Sequence, residues 1–106
     1  MEPLPDRPLT LDRIQAYVAE MEVERGFSDC TLVEQALKLA EETGEVCKAV
    51  RERASLGLDP TSTVGDLGQE LADVLIYLAS IANREGIDLS RALREKEAVN
   101  ETRTWV

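Results

Sequence analysis

The chain has 106 residues, 43% hydrophobic and 31% charged, which predicts one soluble globular domain. A formal net charge of -9 argues against a nucleic-acid-binding surface, which needs basic clusters. Histidine is absent, which excludes a His general base, a His triad and every His metal ligand.

Residues 1–9 contain Pro3, Pro5 and Pro8 and predict an extended N-terminal arm without a signal-peptide core. A single domain is expected over 10–106. The first helix spans about Thr10 to Arg25, with Leu11, Ile14, Val18 and Met21 as its apolar stripe, and Gly26 ends it. Phe27 is expected to fold back on the core. The second helix starts near Thr31, where Thr31 and Glu34 match a capping box, and continues to about Arg53. Residues 54–65 form the one substantial loop. The third helix runs from Thr63 or Asp66 to about Arg84. Its run from Leu71 to Ala82 is so apolar that burial nearly all round is expected. Asp88 caps a fourth helix reaching about Thr102.

Four helices with short connections predict an all-α fold, a four-helix bundle-like subunit. A chain this size buries only roughly 65% of its unfolded surface, so oligomerisation would complete a modest core. Cys30 and Cys47 have no CxxC spacing and read as reduced thiols, which suits the cytoplasm. No apolar stretch reaches the roughly 20 residues needed to span a bilayer, so no membrane partner is expected.

Asp73 is the one charged residue in that apolar run. Burying a lone carboxylate is costly without a partner charge or a metal. Glu70 lies one turn earlier, on the same face at i,i+3, and Glu42 and Glu45 repeat that spacing on the preceding helix. If the two helices pack antiparallel, Glu42, Glu45, Glu70 and Asp73 form one acidic site. Oxygen-only ligation selects hard ions, Mg²⁺ or Mn²⁺, which suit phosphate chemistry without histidine. The competing reading is a solvated helix face, with Glu42 paired to Lys38 and Glu45 to Lys48.

Glu41-Glu42-Thr43-Gly44-Glu45 followed by Glu70-Leu71-Ala72-Asp73 resembles the EExxE…ExxD signature of the all-α nucleoside triphosphate pyrophosphohydrolases. Lys96, Asn100 and Arg103 resemble the KxxxNxxR segment of their MazG-like members. The resemblance covers roughly residues 10–105 and is greatest to short MazG-like proteins. It implies metal-dependent hydrolysis of nucleoside triphosphates to monophosphate and pyrophosphate, as house-cleaning of nucleotide pools. It implies metal ligation by Glu42, Glu45, Glu70 and Asp73, and a role for Glu41 with an extra metal or the attacking water. It further implies triphosphate contacts from Lys96, Asn100 and Arg103, and a homodimer or homotetramer. Trp105, one of four aromatics, is a candidate for stacking on the base or for packing. Tyr77, one turn beyond Asp73, is a candidate for lining the pocket. The alternatives are a phosphoribosyl-ATP or dUTP pyrophosphohydrolase, or a non-enzymatic helical oligomerisation module.

Overall fold

In a computed structural model, which describes residues 1–105, the chain folds into four helices. They are α1 (Leu11–Arg25), α2 (Leu32–Arg53), α3 (Leu67–Arg84) and α4 (Leu89–Asn100). Val106, the last residue of the expected domain, lies outside the described residues. Among those described there is no strand, and residues 1–9 carry no helix. Each helix begins with a side chain that accepts from a first-turn amide: Thr10 from Arg13, Thr31 from Glu34, Asp66 from Gln69 and Asp88 from Arg91. Such a cap contributes about 1 kcal/mol. Thr31 and Glu34 form the expected capping box. Gly26 and Gly86 adopt φ of 78° and 65° beyond α1 and α3, where a Cβ would be strained. The fourth helix stops at Asn100, two residues early, so Arg103 falls beyond it.

α3 is the central element, packing on α2 along one flank and on α1 along another, while α4 rests on α1. The α1–α3 seam is apolar: Val18, Met21 and Ala79 are buried, with Ile14, Tyr17 and Ile76 against them. Gln15 fastens this seam to the start of α4. Its Nε2 donates to Asn83 Oδ1 (3.1 Å) and the Ile87 carbonyl (2.8 Å), and its Oε1 accepts from the Leu89 amide (2.9 Å).

Two expectations need correction. The third helix is buried on one side only, because α1 and α2 cover that side and, among the described residues, no helix covers the other. Leu71, Leu75 and Leu78 are 52%, 36% and 42% exposed, at i, i+4 and i+7. On α2, Val33 and Leu37 are exposed in the same way, while Gln35, Leu39, Glu42, Val46 and Ala49 turn inward. Phe27 does not enter the core either. It remains half exposed at the mouth of a cleft, where its carbonyl accepts from Arg84.

Candidate active site

The α2–α3 pair positions the acidic residues. Gln35 meets Ser80 near one end of the pair, and Glu42 meets Glu70 and Asp73 further along, so the helices run antiparallel. Glu42, Glu70 and Asp73 are half-buried, and each offers a carboxylate oxygen within 4.8 Å of the others. Burial pushes the Glu42 carboxyl above its ordinary pKa. The charges of Asp73 and Glu70, a hydrogen-bonding contact with Glu70 and the charge of Glu45 push it further. Among the described residues, no Lys or Arg forms an ion pair with any of the three. Three carboxylates held together without a counter-charge form a hard-cation donor set with no soft ligand in it. The last loop residues before α3 make room for this set. A Cβ built on Gly65 would overlap Glu70 Oε1, so glycine there lets the Glu70 carboxylate lie where it does.

The remaining candidates stand elsewhere. Glu45 lies outside the cluster of three, with Oε2 3.8 Å from Lys48 Nζ one turn on. Glu41 is exposed and pairs with Lys38 at 3.7 Å. This leaves Glu42 free of the Lys38 pairing that a solvated face would offer it. Lys96 and Arg103 are exposed and, among the described residues, form no ion pair. Asn100 donates through Nδ2 to Glu97 Oε1 (3.1 Å), and its Oδ1 is buried without a partner. Trp105 is 69% exposed and donates to the Asn100 carbonyl at 3.2 Å. Among the described residues, α4 packs on α1, and none of these four residues lines the cleft beside the cluster.

That cleft has a volume of about 340 Å³ and opens next to Asp73. Val18, Met21, Ile76 and Tyr77 give it apolar walls; Lys38 stands on its rim. Burial pushes the Tyr77 hydroxyl pKa up. Lys38 opposes the shift, while Glu42 and Asp73 reinforce it, so the phenol stays a neutral donor. A buried polar network closes the inner end. Arg84 pairs with Glu22 at 2.7 Å, and Ser80 Oγ lies between Glu22 Oε2 (3.2 Å) and Arg84 Nη1 (2.6 Å). Gln35 Nε2 donates to the same Ser80 Oγ at 2.9 Å. Arg84 also donates to the carbonyls of Cys30 (2.8 Å) and Phe27 (3.0 Å), which ties the α1–α2 connection onto α3. The hydrogen bond to Glu22 raises the guanidinium pKa, outweighing desolvation.

Sequence reasoning missed Glu22, Gln35, Ser80 and Arg84. A signal was present. Gln15 and Glu22 share the α1 face of Val18 at i−3 and i+4, and Ser80 and Arg84 share the α3 face of Asp73 at i+7 and i+11. Polar residues repeating on an apolar face mark a buried network.

The fold and the cluster together define an all-α protein with a carboxylate cation site between two antiparallel helices, opening onto a ligand-sized cleft. Residues 31–103 match the MazG nucleotide pyrophosphohydrolase domain, and the chain belongs to that family. It is 32% identical to a dATP/dGTP diphosphohydrolase of Salmonella phage PMBT28, over 99% of this chain and 35% of the relative. It is 37% identical to a dATP/dGTP diphosphohydrolase of Cyanophage S-2L, over 64% of this chain and 52% of the relative. The chain thus spans about a third and about half the length of these two curated relatives. Among solved structures, it resembles the Cyanophage S-2L MazG-like pyrophosphohydrolase bound to dGDP and three catalytic Mn²⁺ ions per active site. The TM-score is 0.69 at 29% identity, covering 93% of this chain and 85% of that one. It also resembles iMazG from Vibrio DAT 722, with a TM-score of 0.62 at 27% identity, over 89% of this chain and 100% of the other.

Proposed function

We propose that the protein hydrolyses nucleoside triphosphates between the α- and β-phosphates, with purine deoxynucleotides foremost among its substrates. The observation that carries this reading is the convergence of Glu42, Glu70 and Asp73 beside a cleft of nucleoside size. The donor set fits Mg²⁺ or Mn²⁺, and the S-2L relative binds Mn²⁺. Glu42, Glu70 and Asp73 would hold the cation, with Glu45 one turn along α2 as a fourth carboxylate. A bound divalent ion supplies phosphate polarisation and a lowered water pKa in such sites.

In the reaction, a water oxygen bonds to the α-phosphorus and the bond from that phosphorus to its bridging oxygen breaks. Monophosphate and pyrophosphate leave, and a proton is released. The chain's own contribution is placement. The carboxylates fix where the phosphates lie, and the apolar walls from Val18, Met21, Ile76 and Tyr77 exclude water around the nucleoside. Glu41 as a partner of the attacking water, Lys96, Asn100 and Arg103 as phosphate contacts, and Trp105 as a base contact belong to this proposal on the motif match alone. Purine preference is supported by the two relatives, both dATP/dGTP diphosphohydrolases, and a role in controlling nucleotide pools belongs to this proposal on the family match. Homo-oligomer formation is supported by the uncovered apolar faces of α2 and α3.

The test is incubation of the protein with dATP and dGTP and Mg²⁺ or Mn²⁺, with products resolved by phosphorus NMR. Monophosphate and pyrophosphate in equal amounts are expected, and none with EDTA. Diphosphate with orthophosphate would mean that the wrong bond was assigned. No metal-dependent product at all would favour the oligomerisation module.

A further inference from the structure

Gln35 is 7% exposed and lies on the inward face of α2, two turns before Glu42. Proton bookkeeping around Ser80 fixes how its amide is turned. A guanidinium only donates, and a carboxylate paired with it only accepts. Ser80 Oγ therefore gives its one proton to Glu22 and receives from Arg84 Nη1. The remaining lone pair can only take a donor, so Gln35 must present Nε2 to Ser80. Its Oε1 is left as an acceptor. Among the described residues no protein donor reaches that oxygen, and Gln35 lines the cleft with Asp73 and Tyr77. A carbonyl oxygen without a protein partner, held in one orientation on a largely buried residue that lines a cleft, is open to a ligand N–H.

Position identifies which part of a ligand it meets. Two turns of helix put Gln35 about 10 Å from Glu42 along α2. With the phosphates at the carboxylates, that distance passes the sugar and reaches the base. We infer that Gln35 is a specificity-determining residue whose Oε1 accepts a hydrogen bond from the exocyclic amino group of a purine. Ser80, Glu22 and Arg84 are positioning residues that keep the amide from flipping. The inference rests on the proposed triphosphate hydrolysis and adds to it a reason for base selection.

The test compares kcat/KM within two pairs that differ by one amino group: dATP against 2′-deoxynebularine triphosphate, and dGTP against dITP. A ratio within one preparation is independent of the folded fraction. In at least one pair, wild type should favour the amino-bearing member by about tenfold or more, as a site built around a hydrogen bond rejects the analogue lacking it. Gln35→Met should bring that ratio to within about twofold of unity by slowing the amino-bearing substrate, the analogue keeping its rate. Ser80→Ala, which frees the amide to turn, should lower the ratio as well; it carries the test if Gln35→Met does not fold. Ratios near one in both pairs for wild type overturn the inference while leaving the hydrolysis reading intact. So does a preference that survives either substitution. Hydrolysis of none of the four triphosphates would instead fell the hydrolysis reading, and this inference with it.

Discussion

Replacing Asp73 with Asn should make the protein more resistant to heat in EDTA and indifferent to divalent metal, the reverse of what most substitutions in a helix interface do. Oxygens of Glu42, Glu70 and Asp73 lie within 4.8 Å of one another. At that separation two unit charges repel by roughly 1 kcal/mol in a water-like dielectric and about 3.5 kcal/mol at an effective dielectric of 20. Asp73→Asn removes two of the three repulsions, so the low end of the gain is roughly 2 kcal/mol, less what protonation of Glu42 already relieves. For a domain of this size that corresponds to a rise on the order of 10 °C in EDTA. In wild type, metal at 100 times its dissociation constant adds roughly 2.7 kcal/mol by linkage. A metal-induced rise on the order of 10 °C is therefore expected, and is lost in the variant.

The pH dependence follows from Glu42, whose carboxyl is raised above its ordinary value by burial first and then by its acidic neighbours. The folded state then binds that proton more tightly than the unfolded state. The contribution to stability is full below the ordinary glutamate pKa and is lost as pH rises through the raised one. In EDTA, the advantage of Asp73→Asn over wild type should thus be small below the ordinary glutamate pKa and grow as pH rises through the raised Glu42 value. Circular-dichroism melts of both proteins, with EDTA and with Mn²⁺, read out all of this, alongside turnover. Two results would refute the reasoning. One is a wild type whose melting ignores metal. The other is an Asp73→Asn protein that melts lower in EDTA while its folded fraction still turns over substrate.

Gly65→Ala should separate the site from the fold. The nearest atoms to the added methyl group belong to the flexible side chain of Glu70, so folding should survive, with an apo melting temperature within about 3 °C of wild type. Metal affinity should fall about 10- to 100-fold, the scale seen when a ligand loses its support; an undiminished metal response would mean that Glu70 need not lie over Gly65. On the other side of α3, Leu71, Leu75 and Leu78 are exposed. Wild type should sediment as an oligomer at micromolar concentration, and Leu75→Glu should shift it towards monomer, because a charge opposed to an apolar partner face is costly. A monomeric wild type would refute the shared interface.

The helices were legible because their determinants are local. Thr10, Thr31, Asp66 and Asp88 cap within one turn of themselves, and the capping box needs only residues 31–34. The acidic trio was also legible. Glu70 and Asp73 share a face by periodicity alone, and the loop over residues 54–65 lets α3 fold back antiparallel alongside α2. What periodicity does not tell is which side of an apolar helix lacks a neighbour. Leu71 to Ala82 reads as apolar all round, yet Leu71, Leu75 and Leu78 face outward, because that depends on where α1 and α2 lie.

The distinction between Glu42 and Glu45 shows where local reasoning stops. Both carry the same spacing, and both have a lysine within one turn. Lys38 goes to Glu41, leaving Glu42 against Glu70 and Asp73, whereas Lys48 meets Glu45. Exposed pairs such as these are worth only about 0–1 kcal/mol, so they do not decide whether Glu45 serves a metal. A cation brought close would outweigh the contact with Lys48, since its charge is doubled and it accepts oxygen directly. The interior network is decided differently. Glu22, Ser80 and Arg84 come from positions up to 62 residues apart, and their worth depends on every member being satisfied at once. No single helix records that condition. It leaves one trace, polar residues repeating on a face that otherwise belongs to the core, and in this chain two of them, Glu22 and Ser80, line the cleft beside the carboxylates.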